Sequence, residues 1–315
     1  MTPLSELKDD TPVVHIRSWV ERNGFSHWAV ALIWIVIGFF LFQITAGIVS
    51  AILIFTFAGE GLDSGTDVLQ LFTERLDLVF IGNTAGQILF LGIATYLVSQ
   101  LHVQSRERNS FLRIRTFPTT WAFVGIAAGL FVVVQPVIWY LGYLNSMLPV
   151  PERFTELQQS QYQMIETFLR SDGAMWLGLL HIGLVPAVCE EIMFRGYVQR
   201  AFEKSWGPWP AIILSGLLFG LYHIQLTNLL PLAALGILLA LVTWLSGSLL
   251  PAIVAHFINN GGAVVLATFY PDLAFADITP ETAPPIWMLL LSIATAAVLI
   301  SLLFRQSETR SGGSD

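Results

Sequence analysis

The sequence predicts an all-α membrane protein, a bundle of about eight transmembrane helices around a polar intramembrane cavity. Of its 315 residues, 55% are hydrophobic and only 12% are charged, whereas soluble domains average about 25% charged residues. The apolar residues are grouped into stretches of about 20 or more, the length that crosses a bilayer. Ionisable side chains inside these stretches are few and clustered, and such groups mark a functional site by default because they are costly in lipid.

The chain is predicted to begin with a cytoplasmic segment, residues 1–26, which contains Lys8, Arg17 and Arg22 among several acids. It lacks the short apolar core of a removable signal peptide. Eight candidate spans follow, at roughly 28–57, 78–100, 119–146, 173–196, 208–227, 229–247, 250–270 and 285–304.

The charges between these spans predict the orientation of the protein in the cell membrane. Arginines are concentrated in residues 102–115, and basic residues also follow the fourth and the last span. The connections 58–77 and 271–284 are acidic. Since cytoplasmic loops carry the excess of Lys and Arg, this alternation fits an even number of spans with both termini in the cytoplasm.

The remaining segments complete the predicted organisation as one membrane domain. Residues 27–169 would hold the first transmembrane helices and, at 151–170, an amphipathic helix on the outer membrane surface. A core at 170–275 precedes the last transmembrane segment, 276–306, and the polar tail 307–315 is expected to be disordered.

Composition also excludes several classes of function. The net charge of −7 comes without a basic patch, so we expect no nucleic-acid partner. The single cysteine, Cys189, rules out an internal disulfide and a multi-cysteine metal cluster, and it is interpreted as a small buried hydrophobic residue.

The first candidate site element is Glu190-Glu191 followed by Arg195. Glu191 and Arg195 share a helical face at i and i+4, which predicts an orienting ion pair, while Glu190 points about 100° away. Glu190 is therefore the candidate working carboxylate. The alternative is that both glutamates cap a helix near the cytoplasmic interface.

The second element is Phe219 followed at i+4 by His223, so the aromatic ring can line a pocket that holds the imidazole. Gly216 and Gly220 allow a neighbouring helix to approach closely. A lone histidine in a membrane span is also explained by a simple interhelical hydrogen bond.

The third element is His256 with Asn260, again at i and i+4. Both side chains carry donors that could stabilise a developing oxyanion, although an interhelical hydrogen-bonding pair is the alternative. Pro186, one turn before Glu190, predicts a kink in the fourth span. No formal charge occurs between Lys204 and Asp272, so the two histidines are isolated in an apolar region that Glu190 borders.

These motifs, EExxxR, FxxxH and HxxxN in that order, resemble the CPBP family of intramembrane proteases, the CAAX-protease and bacteriocin-processing enzymes also called Abi. The signature residues here are Glu190, Glu191 and Arg195, then Phe219 and His223, then His256 and Asn260. The resemblance covers roughly residues 170–275. It implies an endopeptidase that cuts a membrane-associated protein or peptide within the lipid bilayer.

The resemblance also implies roles for single residues. Glu190 and His223 would activate the attacking water, and His256 and Asn260 would stabilise the oxyanion. The supporting residues would be Glu191, Arg195 and Phe219. No obligatory metal is predicted, but a divalent ion such as zinc, if bound, would take Glu190, His223 and His256 as ligands.

Two other classes of function stay open at this stage. A proton-coupled transporter would also bury a carboxylate beside histidines, but no inverted repeat is visible in the sequence. A non-enzymatic membrane immunity or scaffold protein could keep the same fold. Cleavage assays on Glu190→Ala and His223→Ala variants separate these classes.

Overall fold

The computed structural model describes residues 17–57, 68–171, 173–276, 278–280 and 282–312. Within these ranges the chain is all-helical and no β-strand occurs. The expectations for residues 1–16, for the acidic residues in 58–67 and for 313–315 lie outside the described residues.

Ten principal helices make up the described part of the chain. In chain order they are α1 (His27–Phe57), α2 (Leu76–Leu101), α3 (Thr120–Val133), α4 (Gln135–Ser146), α5 (Glu152–Leu169), α6 (Ala174–Trp206), α7 (Pro208–Tyr222), α8 (Leu229–Ser246), α9 (Leu250–Phe269) and α10 (Ile286–Gly312). Short helical turns at Trp19–Arg22, Val68–Glu74, Arg108–Phe111 and Pro271–Ala274 lie in the connections.

The prediction of an all-α membrane bundle is confirmed, and the count of about eight spans is approximate. Within the described residues, six helices are long and apolar enough to cross a membrane, and α3 with α4, bent by 47°, can form a seventh span. The remaining candidate, α7, has 15 residues and rises only about 22 Å. It begins after Gly207, whose φ of +81° favours glycine, and Pro208 starts the helix. The chain is thus a multi-pass membrane protein.

Helices α6 and α8 are the most buried of the apolar spans. In the most apolar window of each, 56% of the residues are buried, against 17% in α1 and in α10. Helix α7 packs mainly along α8, and α6 packs against α9 and against the middle of α2. The side chains of α6 therefore face protein on most sides, which provides an interior position for polar groups away from lipid.

The fourth span, in which Pro186 predicts a kink, is one continuous helix with a widened turn before the proline. A π-helical segment, Leu179–Leu184, comes directly before Val185–Glu191 and its Pro186. Proline has no N–H to donate to Ile182 O, four residues back. In a membrane such a carbonyl needs another donor.

The predictions for the helix at 151–170 and for the C-terminal tail have different outcomes. The helix expected at 151–170 is present as α5, with Phe168 and Leu169 buried, while its position at the membrane surface stays a prediction. The tail, in contrast, was expected to be disordered from Ser307, but α10 continues to Gly312. Extending an existing helix costs far less than nucleating one, so α10 carries polar residues beyond its apolar stretch.

Glycines allow α7 and α8 to approach closely, as the small-residue spacing of Gly216 and Gly220 predicts. A Cβ atom added at Gly216 would lie 2.5 Å from the backbone nitrogen of Ile237, and one at Gly220 would lie 2.9 Å from that of Ala233. Neither contact can be relieved by a side-chain movement. The two helices would have to separate.

We therefore expect Gly216→Ala to lower the free energy of unfolding by about 1–3 kcal/mol. Gly262 in α9 is the matched control, because a Cβ atom there meets nothing within 4 Å. Gly262→Ala should be neutral or stabilise the helix by up to about 1 kcal/mol. Thermal unfolding in detergent micelles measures both, and equal melting temperatures for the two variants would contradict the close contact.

Candidate active site

The predicted ion pair on α6 is present and fully buried. Arg195 Nη1 donates to Glu191 Oε1 at 2.9 Å, and neither side chain is exposed. Arg195 Nη2 donates to Gly236 O on α8 at 3.0 Å, and the guanidinium lies 4.3 Å from the centre of the Phe219 ring. The arginine thus ties α6 to both α7 and α8.

Glu191 has a second partner that its helix position does not reveal. Its Oε1 also lies 2.9 Å from Nδ1 of His256 on α9. A carboxylate can only accept, so Nδ1 carries the hydrogen. Neutral His256 is therefore the tautomer with its lone pair on Nε2, and Glu191 orients both Arg195 and His256.

Asn260 holds the other side of the same imidazole. Its Nδ2 donates to Ile182 O at 3.1 Å and lies 3.2 Å from His256 Nε2. Ile182 O is the carbonyl to which Pro186 cannot donate. The proline on α6 thus provides the acceptor that positions the asparagine of α9.

His223 lies at the end of α7 and has the same tautomer as neutral His256. Its Nδ1 lies 2.8 Å from Phe219 O, and because that carbonyl only accepts, Nδ1 is again the protonated nitrogen. The free Nε2 of neutral His223 faces Glu190. Phe219 contacts both imidazoles edge to face, with ring centres 4.8 Å from His223 and 5.7 Å from His256.

Three acceptor atoms therefore converge on one point. Glu190 Oε2 lies 4.0 Å from His223 Nε2 and 3.9 Å from His256 Nε2, and it has no hydrogen-bond donor among the described residues. Lone pairs facing one another in a buried site are unfavourable unless a donor lies between them. A water molecule or a proton meets that need.

The charge of the cluster points the same way. With both glutamates ionised, Arg195 protonated and both imidazoles neutral, the buried group carries one net negative charge. A buried net charge is costly unless polar groups solvate it, so water beside the cluster is favoured.

A small cavity adjoins the two histidines. Its volume is about 30 Å³, enough for a water molecule. Its polar wall is formed by His223, His256, Asn259 and Asn260, and its apolar wall by Phe131, Phe219 and three leucines of α8.

The three ligands that a zinc ion would take lie farther apart than a bound tetrahedral ion requires. Two ligand atoms at about 2.0 Å from such an ion lie about 3.3 Å apart. The separations between Glu190 Oε2 and the two imidazole nitrogens, 4.0 and 3.9 Å, are longer. In the described part of the chain, no group of three His, Cys, Asp or Glu side chains is arranged to hold a metal.

All seven residues predicted from the motifs thus come together, whereas His181 and Cys189, also on α6, have other surroundings. His181 Nδ1 lies 2.6 Å from Thr84 Oγ1 on α2. Cys189 is buried in the apolar core, where it was expected.

Sequence reasoning missed three contributors to the site. Gly236 accepts from Arg195, and nothing in an apolar helix marks one glycine carbonyl as an acceptor. Asn259 and Gln135 form a hydrogen bond beside the cavity. A signal existed for Gln135, because a glutamine followed by Pro136 inside an apolar span is unusual.

Comparison with known proteins agrees with these motifs. Residues 172–262 match the family model described as Type II CAAX prenyl endopeptidase Rce1-like. This is a CPBP model, so the resemblance predicted from the three motifs is confirmed. The match covers less than one third of the chain and supports a CAAX protease-type intramembrane peptidase. No curated protein and no solved structure matches the chain significantly.

Proposed function

We propose that this protein hydrolyses a peptide bond of a membrane-associated protein or peptide, with water activated by Glu190 and His223 and the oxyanion stabilised by His256 and Asn260. The observation that carries the proposal is the convergence of three acceptor atoms, Glu190 Oε2 and the two Nε2 atoms, beside a cavity that can hold water. The match to a CAAX prenyl endopeptidase model supports a peptidase independently.

In the proposed reaction the water oxygen attacks the carbonyl carbon of the scissile bond, and its proton moves to Glu190. His223 accepts the second hydrogen of the water through Nε2 and so orients it. Its own Nδ1–H stays bonded to Phe219 O, which keeps the ring in place. The apolar wall of the cavity strengthens these interactions because it limits solvent.

The oxyanion formed by the attack is stabilised by His256 and Asn260. Neutral His256 cannot donate through Nε2, so one proton is taken up from solvent at Nε2 before the attack. The imidazolium then donates to the oxyanion through Nε2 while Glu191 accepts from Nδ1. Once Nε2 is protonated, it no longer accepts from Asn260 Nδ2. That amide hydrogen is then available to donate to the oxyanion. When the tetrahedral intermediate collapses, the C–N bond breaks and the proton held by Glu190 passes to the leaving amine.

The test is cleavage by the purified protein in detergent or liposomes. The probes are a farnesylated peptide with a C-terminal CAAX sequence and an unmodified transmembrane-peptide library, both read by mass spectrometry. We expect His223→Ala and His256→Ala each to lower kcat by about 100-fold or more, in the range of general acid–base groups. Cys189→Ala is the matched control on α6 and should cleave at the wild-type rate.

Two outcomes would favour the other classes of function. Wild-type protein that cleaves neither probe, but supports a cell phenotype that both histidine variants retain, would favour the immunity or scaffold protein. Proton-coupled flux into liposomes that depends on Glu190 would favour the transporter. Loss of activity in Cys189→Ala would contradict the water mechanism and point to a thiol nucleophile.

A further inference from the structure

The bend between α3 and α4 places an exposed polar side chain beside the site. The two helices have 14 and 12 residues, so the break at Val134 is near the middle of the bent span. Gln135 follows immediately and is exposed at the bundle surface. An exposed amide at that depth is costly in lipid unless it has a function.

Hydrogen bonds connect this glutamine to the site residues. Gln135 Nε2 donates to Phe131 O at 2.8 Å and to Asn259 Oδ1 at 3.1 Å. Asn259 Nδ2 then donates to Asn260 Oδ1 at 3.1 Å, and Asn260 Nδ2 donates to Ile182 O. The backbone carbonyls at both ends only accept, so they determine the orientation of all three amides.

This orientation leaves a defined pair of unused groups. Both Nε2 hydrogens of Gln135 are engaged, and no described residue donates to its Oε1. Asn259 accepts through Oδ1 and uses one Nδ2 hydrogen, so its second hydrogen is unused among the described residues. One acceptor and one donor therefore remain on two amides that are hydrogen-bonded to each other, which is complementary to the N–H and C=O of an extended peptide.

We infer that Gln135 and Asn259 form a subsite that hydrogen-bonds the backbone of the substrate next to the bond that is cut. Asn259 lines the cavity together with His223 and His256, so a peptide held there lies against the reacting groups. Because Gln135 is exposed at the bend, the peptide reaches this subsite from the side of the bundle. The inference rests on the proposed function and adds the residues that position its substrate.

The experiment couples a change in the protein to a change in the peptide backbone. The probe is the peptide that wild-type protein cleaves, made with an N-methyl group at each position in turn. At the position that donates to Gln135, methylation should lower kcat/KM about 3- to 10-fold in wild-type protein, as loss of one hydrogen bond predicts. In Gln135→Leu the same methyl group should have no effect, because the partner is already absent.

Gln43→Leu is the matched control, since Gln43 is an exposed glutamine in the middle of α1. It should respond to methylation as wild-type protein does. If Gln135 served only to satisfy Phe131 O, Gln135→Leu would reduce the stability of the protein and would lower the cleavage of all peptides equally. Equal methylation effects in wild-type protein and Gln135→Leu would therefore overturn the subsite.

A second measurement separates this inference from the proposed function. Binding of the fluorescein-labelled farnesylated CAAX peptide and its N-methylated series to the Glu190→Gln variant is followed by anisotropy. If wild-type protein cleaves nothing, but Gln135→Leu removes the methylation effect on Kd, the subsite stands and the hydrolase falls. Absence of binding to every peptide would overturn both.

Discussion

Replacing Glu190 by glutamine is expected to lower kcat for peptide cleavage by at least about 100-fold while leaving the fold intact. Glutamine keeps the shape of the side chain but cannot take the proton from the attacking water. It also ends the convergence of three acceptors, because the amide can donate to His223 or His256. The loss should therefore appear in kcat, and substrate binding should change little.

The thermal stability of the Glu190→Gln variant provides a second expected result. Glu190 Oε2 is a buried acceptor with no donor among the described residues, and such a group contributes less to the stability of the folded state than a satisfied one. The melting temperature of Glu190→Gln in detergent should equal or exceed that of wild-type protein. Glu166→Gln on α5 is the control, since its carboxylate pairs with Arg170 at the surface, and it should cleave normally. A Glu190→Gln variant that cleaves at the wild-type rate would contradict the mechanism.

Replacing Arg195 by methionine is expected to lower the free energy of unfolding by about 3–5 kcal/mol. The change leaves the carboxylate of Glu191 buried without its cation and removes the donor to Gly236 O. Arg195→Lys should be intermediate, because an ammonium cannot reproduce the planar fork that reaches two acceptors and lies on Phe219. Chemical unfolding in micelles, monitored by tryptophan fluorescence, measures the three proteins.

The double variant Glu191→Leu/Arg195→Met separates stability from activity. Removing both charges relieves the uncompensated carboxylate, so most of the lost stability should return. The double variant should nevertheless not cleave peptide, because His256 has lost the carboxylate that fixes its tautomer and stabilises its imidazolium. A double variant no more stable than Arg195→Met would argue against the buried ion pair, and an active one would argue against the role of Glu191.

Much of this organisation was predictable because it depends on residues that are contiguous in the sequence. Hydropathy alone separates α1, α2, α6, α8, α9 and α10 from their connections, since the length and apolarity of a span are properties of one segment. The pairing of Glu191 with Arg195 follows from helical periodicity in the same way. The end of α10 was not predictable, because a helix that has formed extends into polar residues that would not begin one.

The contact partners of the site residues lie on helices that are far apart in the sequence, so helical periodicity does not predict them. The sequence by itself determined the membrane class, the candidate residues and which of them share a helical face. Only the tertiary structure decided that Glu191 orients His256, 65 residues away, and that Asn260 satisfies the carbonyl bypassed by Pro186. It also decided that Glu190 faces both imidazoles at once. The physical reason is that a side chain's helical face follows from its own segment, whereas its partner depends on how α6, α7 and α9 pack.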